Sequence, residues 1–407
     1  MSMQKSKKHI LVVSQYYKPE PFRIDDICAE LVKRGYQVTA VVGIPNYPEG
    51  KFYPGYGLSK RRRETVDGVE VIRIPVVPRG KSFVGLALNY MSFVVTGFFW
   101  QLFTKVKADA VFGIGMSPIF QVLPGIWYAK RKKIPVYLYV QDLWPESFEE
   151  VTGIHSPLLV KPLSKLVTYI YDRCDRILGT SPKFVEEIGK RVTGNREKIG
   201  YWPQYAEDFY VPAQRKPVPE IPDDDSFKVI FTGNVGQAQG LDILPPVAQA
   251  LKQKGIQKVR FVIVGNGRYR EQLALDIEKA GVADMFTLVD RQPAQRIPEM
   301  LAACDAAFLS LRGNLLEKTI PAKLQSYMAC GMPVIGAVDG EAANVIRDAG
   351  CGVYCPAENV EALTNAVTSL MESADIQAMG NNARSYYEKH FDKKMLMDKL
   401  EEMLFSR

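Results

Sequence analysis

The stretch "FKVIFTGNVGQAQGLD" (227–242) decides how this chain is interpreted. A run of apolar, β-branched residues leads directly into Gly233 and Gly236, and a helical pattern follows. A strand, a glycine-rich turn and a helix in this order are typical of a parallel sheet with helices on both faces. The segment "VIVGNGRYREQL" (262–273) repeats the arrangement with its own two glycines. We therefore predict a doubly wound α/β sheet around these segments.

The same alternation extends in both directions along the chain. In the first half the predicted strands are "HILVVSQ" (9–15), "VTAVVG" (38–43), "VEVIRIP" (69–75), "DAVFGIG" (109–115), "IPVYLYVQD" (134–142) and "RILGTS" (176–181). In the second half they are "FKVIFTGN" (227–234), "VRFVIVGNG" (259–267), "FTLVD" (286–290), "AAFLSL" (306–311), "PVIGAV" (333–338) and "CGVYC" (351–355). Residues 205–226 hold four prolines and an acidic cluster, which predicts a linker between two similar domains.

Composition favours a globular protein of the reducing cytoplasm. A chain of 407 residues is longer than a domain with one ordinary hydrophobic core, and 47% of its residues are hydrophobic while 24% are charged. Six cysteines and three histidines are scattered without the spacing of a zinc site, so we expect buried thiols and no metal site. No cleavable signal is recognised in the first residues, which predicts a cytoplasmic location.

Charge is unevenly divided along the chain. Residues 1–205 hold 30 Lys/Arg and 18 Asp/Glu, a net charge of +12, and the remainder holds 22 and 27, a net charge of −5. These values sum to the formal net charge of +7. A basic half suggests that one domain faces a polyanion or an anionic membrane, and a solvated basic surface without function is the alternative.

The uncharged segment Phe83–Phe103, "FVGLALNYMSFVVTGFFWQLF", breaks the alternation. Its 21 residues could span a bilayer, but Asn89, Ser92, Thr96 and Gln101 interrupt it. We favour an interfacial or partly inserted helix over a buried core helix or a true span. This segment and the basic half predict association with the inner-membrane surface.

The segment "KTIPAKLQSYMACGMPVIG" (318–336) predicts an anion site. Thr319 can cap a helix whose first turn holds Pro321, yet Lys318 and Lys323 stand near the positive end of its dipole. A bound diphosphate would stabilise both cations, whereas lysines that bend into solvent are the alternative. The two glycine turns would add backbone N–H groups for the same phosphates, although either turn alone is a weak signal.

The segment "YVQDLWPESF" (139–148) places polar side chains at the end of a predicted strand. A carboxylate such as Asp142 at the carboxyl end of a parallel strand can orient or deprotonate a hydroxyl. The alternative is an aspartate that caps the following turn.

Several segments together resemble a known family. They are "SQYYKPEPFRIDDICAELVKRGYQVTAVVG" (14–43), "QDLWPES" (141–147), "LGTSPKF" (178–184), "VIVGNGRYREQL" (262–273), "PAKLQSYMACGMPVIG" (321–336) and "DGEAANVI" (339–346). In this order they resemble glycosyltransferase family 4, and within it the bacterial N-acetyl-L-fucosamine transferases and their colanic-acid relatives.

The resemblance implies a GT-B fold, in which two Rossmann-like domains face each other across a cleft. It implies a nucleotide-sugar donor in the C-terminal domain, an acceptor in the N-terminal domain, retention of configuration, and no metal or cofactor. The expected domains are residues 1–205 for the acceptor and the membrane surface, 206–388 for the donor, and a helix at 389–407 that returns to the first domain.

Departures from the family pattern refine the expected site. Many relatives carry two glutamates seven residues apart, and Ser326 takes the place of the second, which implies Glu317 at the sugar and Gln325 or Ser326 at the ribose. Asn234 and Gln239 replace the usual cations of the first C-domain turn, so Lys318, Lys323 and Arg312 would hold the diphosphate.

The expected residues fall into three groups. The catalytic residues are Asp142, Lys323 and Glu317. The donor-binding residues are Gly233, Asn234, Gly236, Gly265, Asn266, Gly267, Arg291, Lys318, Thr319, Ile320, Lys323, Gln325 and Ser326. The acceptor-binding residues are Arg23, Gln141, Asp142, Trp144 and Glu146.

These expectations predict a retaining, metal-independent glycosyltransferase. It would move a sugar, such as N-acetyl-L-fucosamine or a related N-acetylated sugar, from a nucleoside diphosphate, with UDP favoured. The acceptor would be an undecaprenyl-diphosphate-linked saccharide at the cytoplasmic membrane face, in O-antigen, capsule or exopolysaccharide assembly. The alternative is a nucleotide-sugar 2-epimerase of the same fold, and no nucleic-acid partner is expected.

Overall fold

The computed structural model describes residues 8–80, 82–313 and 316–405. The chain divides into two compact units. The N-terminal unit runs to Trp202 and includes the segment from Leu400 onwards, and the C-terminal unit is Pro203–Lys399.

The N-terminal unit is built on an eight-stranded sheet with the order β3-β4-β2-β1-β5-β6-β7-β8. Its strands are β1 (His9–Val13), β2 (Gln37–Gly43), β3 (Arg63–Val66), β4 (Val69–Ile74), β5 (Ala110–Gly115), β6 (Val136–Val140), β7 (Arg176–Gly179) and β8 (Ile199–Tyr201). Its helices are α1 (Ile24–Lys33), α2 (Phe83–Phe103), α3 (Leu123–Lys132), α4 (Glu146–Thr152), α5 (Pro157–Asp172) and α6 (Pro182–Arg191). Only β3 pairs antiparallel, with β4, so the other strands end at a common edge.

The C-terminal unit is built on a six-stranded, fully parallel sheet with the order β11-β10-β9-β12-β13-β14. Its strands are β9 (Phe227–Thr232), β10 (Val259–Val264), β11 (Phe286–Val289), β12 (Ala306–Ser310), β13 (Val334–Ala337) and β14 (Gly352–Cys355). The helices are α7 (Leu244–Gln253), α8 (Arg270–Lys279), α9 (Ile297–Ala302), α10 (Ala322–Ala329), α11 (Gly340–Ala349), α12 (Val360–Met371) and α13 (Ile376–His390). The last helix, α14 (Lys393–Phe405), belongs to this unit up to Lys399 and to the N-terminal unit from Leu400. The order reverses between β9 and β12, and ligands of such sheets bind beyond the carboxyl ends of strands at this point.

All twelve predicted strands are confirmed, and most of them are apolar runs that the sheet buries. The last, β14, is an exception, because Tyr354 is 43% exposed. The prediction missed β3 and β8, which have only four and three residues and are at most half-buried over most of their length. The units divide after Trp202, and the predicted boundary lies after residue 205. The last helix begins at Lys393, and Arg34 of α1 donates to Glu401 of this helix at 2.6 Å.

Helix α2 has the predicted bounds and turns its polar side chains inward. Asn89 and Gln101 are buried. Asn89 donates to the carbonyl of Val77 at 2.6 Å, and Thr96 donates to the carbonyl of Pro75 at 2.8 Å. The outward residues are 41–78% exposed: Phe83, Val84, Leu88, Met91, Val95, Phe98, Phe99, Leu102 and Phe103. A core helix would have the opposite pattern.

Within the described residues, α2 alone is long and apolar enough by length and composition to cross a membrane. Only 22% of its most apolar window is buried inside the protein. This exposure disagrees with the alternative of a buried core helix.

Candidate active site

Two glycine turns of the C-terminal unit lie against each other at the carboxyl ends of β9 and β10. Gly233 and Gly265 have φ values of +122° and +146°, which side-chain-bearing residues rarely adopt. A Cβ on Gly265 would lie 1.8 Å from the carbonyl oxygen of Gly233. The turns are also joined by a hydrogen bond of 2.9 Å from the N–H of Val235 to the carbonyl of Asn266. Both positions therefore require glycine.

Lys323 extends from α10 onto the first of these turns. Its Nζ lies 3.7 Å from the centre of the Phe231 ring, and its Cε would lie 2.8 Å from a Cβ on Gly233. The Nζ is buried and has no hydrogen-bond partner in the described part of the chain. Burial lowers the pKa of Lys323 to about 7, because no nearby anion offsets the loss of water. The alternative that this lysine bends into solvent is wrong.

The start of α10 differs from the predicted cap. The helix begins at Ala322, Pro321 is the N-cap residue, and no side chain caps it. Thr319 lies one residue before Ile320 in the preceding loop, so its predicted capping role is wrong, because the helix starts too late for it. Lys318 ends a short 3₁₀ turn and is half-buried. Lys323 alone of the two lysines lies on the helix.

Glu317 is exposed in the turn that precedes α10. Gly340, at the start of α11, has a φ of +65°, and a Cβ there would lie 2.0 Å from the carbonyl oxygen of Glu317. The backbone at the beginning of α11 therefore lies directly against the turn that holds Glu317. A sugar contact by Glu317 stays a prediction.

Polar side chains stabilise the first glycine turn. The side-chain oxygen of Gln239 accepts from the N–H of Gly236 at 3.1 Å and from the amide of Asn234 at 3.3 Å. Arg312 lies near this turn but pairs with Asp242 and Glu358, each at 2.7 Å. Two carboxylates therefore already compensate the charge of Arg312, which weakens the expectation that it holds a diphosphate.

The side chains expected at the nucleoside are those of Gln325, Ser326 and Arg291. Gln325 is fully buried with neither amide atom bonded, and the hydroxyl of Ser326 donates to the carbonyl of Ala322 at 3.1 Å. Arg291 is exposed after β11. Their donor contacts stay predictions.

In the N-terminal unit, Asp142 follows β6 and accepts from the N–H of Ser117 at 2.7 Å. Ser117 follows the neighbouring strand β5, and its hydroxyl accepts from the indole of Trp144 at 3.0 Å. Asp142 therefore joins two strand ends and does not cap the following helix, whose N-cap residue is Pro145 without a side-chain cap. Burial raises the pKa of Asp142, although hydrogen bonds from Ser117 oppose this shift.

The other predicted acceptor residues lie around this position. The N–H of Gln141 donates to the carbonyl of Gly115 at 2.9 Å. Glu146 accepts from Arg191 of α6, so its charge is compensated within the unit. Arg23 precedes α1 and is half-buried.

A buried amide network was missed by the sequence analysis. The side-chain oxygen of Gln121 accepts from the N–H of Gln15 at 2.6 Å, and the Gln15 amide donates to Asn89 at 2.7 Å. It joins the loop after β1 to α2 and to the segment after β5. The signal available was a glutamine that directly follows a strand, which is too common to identify a network. Among the described residues, no cluster of three potential metal ligands is found.

Comparisons with known proteins agree with this architecture. Residues 22–203 match the glycosyl transferase 4-like domain, and residues 214–386 match glycosyl transferases group 1. The chain is similar to the probable glycosyltransferase WbjE of Pseudomonas aeruginosa, at 24% identity over 77% of this chain and 78% of that protein. It is also similar to the putative colanic acid biosynthesis glycosyl transferase WcaI of Escherichia coli K12, at 24% identity over 95% and 97% of the two chains.

Solved structures show the same fold. Anabaena HepE, in complex with UDP-glucose, superposes with a TM-score of 0.69 over 98% of this chain and 100% of that chain, at 15% identity. Two parallel-sheet, Rossmann-like units are the architecture of GT-B glycosyltransferases, which the superposed structures share. The chain therefore belongs to glycosyltransferase family 4 and is a glycosyltransferase with the GT-B fold.

Proposed function

We propose that this protein is a retaining glycosyltransferase that uses a nucleoside diphosphate sugar, with UDP as the favoured nucleotide, without a metal ion. The acceptor is an undecaprenyl-diphosphate-linked saccharide, and the product serves O-antigen, capsule or exopolysaccharide assembly. A sugar of the N-acetyl-L-fucosamine type is the favoured donor sugar. The names of WbjE and WcaI, and the UDP-glucose bound by HepE, support this proposal by analogy.

The position of Lys323 is the observation that carries the proposal. Its buried amine lacks an anion in the described part of the chain and lies against Gly233 of the first glycine turn, where the absence of a side chain lets a ligand approach the backbone. A diphosphate there would supply the missing counter-charge. The amine would then stabilise the negative charge that develops on the departing nucleotide. Electrostatic stabilisation of this kind makes the greatest single contribution to catalysis in many enzymes.

Asp142 is the proposed acceptor-side group. It would orient the acceptor hydroxyl or accept its proton, and burial raises its pKa, which makes the carboxylate a stronger base. Glu317 is the proposed sugar contact.

The proposed membrane association rests on α2. Its exposed face is apolar and its polar side chains are directed into the protein, which is the pattern of a surface that contacts lipid. The basic N-terminal half would add attraction to anionic headgroups. The protein would thus be peripheral or monotopic on the cytoplasmic face of the inner membrane.

A donor panel tests the proposed reaction. The purified protein is incubated with nucleoside diphosphate sugars, with and without lipid-linked N-acetylhexosamine acceptors and with a chelator in both arms. Transfer with retained anomeric configuration and undiminished by the chelator is expected. Conversion of the donor in the absence of acceptor would instead indicate the 2-epimerase.

Vesicle flotation tests the membrane association. Phe99→Glu places a charge on the exposed face of α2 and should release the protein from anionic vesicles. Leu275→Glu, at a residue that is 50% exposed on α8, is the matched control and should leave binding unchanged. Equal binding of both variants and the unaltered protein would reject α2 as the membrane contact.

A further inference from the structure

The loops that follow β1, β2 and β4 bring an arginine and several aromatic rings together beside α2. The guanidinium of Arg79 lies 5.2 Å from the centre of the Tyr47 ring and 5.9 Å from that of Tyr90. Tyr16 stacks on Phe22 at 4.5 Å and meets the edge of Tyr47 at 5.8 Å. We call these five residues the Arg79 cluster. None of them was predicted to belong to a site.

Arg79 has no carboxylate partner among the described residues. One of its nitrogens, Nη1, donates to the hydroxyls of Tyr16 and Tyr90, each at 3.4 Å. Such long bonds use little of a guanidinium that carries five N–H donors. Its other side-chain nitrogens make no hydrogen bond in the described structure, and they are not buried. Half-buried Arg79 therefore presents unused donors to solvent.

The nearby carboxylates do not neutralise this cation. Glu20 is buried, and its oxygens accept from the backbone N–H groups of Asn46 and Tyr47 at 2.8 Å and of Tyr17 at 3.3 Å. Glu49 on the same loop is exposed and makes no ion pair with any described residue. By contrast, the fully buried Arg73 pairs with Glu64 at 2.6 Å. The unpaired state of Arg79 is thus not general for arginines of this unit.

The backbone of Arg79 is fixed in place. Its N–H donates to the side chain of buried Asn46 at 2.8 Å. Gly50 has a φ of +69°, and a Cβ there would lie 2.1 Å from the carbonyl oxygen of Arg79. Glu20 fixes the Asn46 loop in turn, so the three loops form one rigid support. A preorganised cation of this kind loses little entropy when it binds an anion.

The Arg79 cluster adjoins the exposed apolar face of α2. Tyr90 lies on α2 between Leu88 and Met91, which are 54% and 50% exposed. A series of aromatic contacts also runs from Tyr90 to Phe120 at 6.3 Å and from Phe120 to Trp144 at 5.7 Å. The cluster therefore lies between a lipid-compatible surface and the neighbourhood of Asp142.

We propose that the Arg79 cluster binds the phosphate or diphosphate group of a lipid, with the guanidinium and the hydroxyl of Tyr90 as hydrogen-bond donors. Guanidinium groups bind phosphate oxygens through paired N–H donors, and a lipid tail would lie along the exposed face of α2. If the bound lipid is the lipid-linked acceptor, the cluster is a subsite for that acceptor, and the inference then rests on the proposed function. The same chemistry would also suit an anionic phospholipid headgroup, and the test separates the two sources.

The test measures vesicle binding of the full-length protein. Three vesicle types are compared: phosphatidylcholine alone, phosphatidylcholine with a polyprenyl diphosphate, and phosphatidylcholine with phosphatidylglycerol at equal total charge. Arg79→Gln should weaken binding to the polyprenyl diphosphate vesicles by about tenfold, the value of one lost charge-assisted hydrogen-bond pair. Binding to phosphatidylcholine alone should change by less than about twofold, because the choline cation compensates the phosphate of that headgroup and binding then depends on α2.

Arg63→Gln is the matched control. Arg63 belongs to the same unit, is 69% exposed and makes only a 3.9 Å ion pair with Glu70. Its loss should alter binding by less than about twofold. Arg79→Lys keeps the charge but not the paired N–H donors, so its binding should fall between that of the unaltered protein and that of Arg79→Gln. This intermediate result would distinguish recognition by paired donors from attraction by positive charge alone. Thermal unfolding of each variant checks that the fold is retained.

The outcomes decide the proposal and its source. If Arg79→Gln weakens binding to the polyprenyl diphosphate vesicles and to no other vesicles, the cluster is an acceptor subsite. If it weakens binding to the phosphatidylglycerol vesicles equally, the cluster binds a phospholipid headgroup. Unchanged binding of Arg79→Gln, or an equal loss in Arg63→Gln, overturns the proposal. Absence of sugar transfer to every lipid-linked acceptor would reject the proposed function and leave the vesicle result to stand by itself.

Discussion

Lys323 and Arg79 are both cations without a carboxylate partner among the described residues, and their surroundings differ. Lys323 lies on glycine backbone with a buried amine whose pKa burial lowers to about 7. Arg79 lies among aromatic rings and keeps donors in contact with solvent. A guanidinium stays charged at any physiological pH, whereas a buried amine can lose its proton. We infer that anion binding at Lys323 responds to pH and that anion binding at Arg79 does not.

The largest expected effect is the loss of Lys323. Lys323→Met should lower sugar transfer by about 10²–10³-fold, as for the removal of a preorganised donor to a developing negative charge. It should weaken UDP binding as well, which calorimetry measures. Lys254→Met, at an exposed lysine that bonds to Asn365, is the control and should retain activity. Normal transfer by Lys323→Met would remove the basis of the proposed donor site.

The second effect separates the acceptor side from the donor side. Asp142→Asn should lower transfer by about 10²-fold, the lower range for a lost proton acceptor. UDP affinity should not change, because Asp142 belongs to the other unit. Transfer rates and calorimetry on the same preparation check both statements. A parallel fall in UDP affinity would contradict the separation.

The third effect concerns the glycine turns. Gly265→Ala should destabilise the protein by about 3 kcal/mol, because its Cβ would meet the carbonyl of Gly233 at 1.8 Å in addition to the strain of a positive φ. Gly255→Ala, where φ is +77° and no atom lies within 4 Å, should cost only about 1 kcal/mol. Denaturant unfolding of both variants measures the difference. Equal losses would show that the contact between the turns contributes little.

The smallest expected effect is the uptake of a proton by Lys323 when UDP binds. A bound diphosphate favours the charged amine and should raise the pKa of Lys323 from about 7. Above that pH, UDP binding should therefore take up about one proton, and the affinity should fall by about tenfold per pH unit. Calorimetry at pH 8 in buffers of different ionisation enthalpy measures the uptake. Lys323→Met should abolish it, whereas release of protons in the unaltered protein would refute the assignment.

Lipid binding by Arg79 should lack this dependence between pH 7 and 9, because a guanidinium does not titrate there. The vesicle assay repeated at both pH values checks this contrast. A fall at pH 9 in the unaltered protein would show that another group controls lipid binding.

The sequence determined twelve of the fourteen strands described and the family, because apolar runs and glycine turns are local signals that a parallel sheet requires. It also determined the bounds of α2, since a run of 21 uncharged residues needs no tertiary contact to be recognised.

Only the tertiary structure decided which face of α2 is buried. The inward polar residues are held by carbonyl groups of the loop after β4, and the sequence does not show that these groups lie there. It also decided which of the two lysines meets the first glycine turn, because this depends on where α10 begins. The Arg79 cluster joins residues from four segments of the chain. Such a site depends on which loops the sheet order brings together, and the local pattern of residues carries no signal of it.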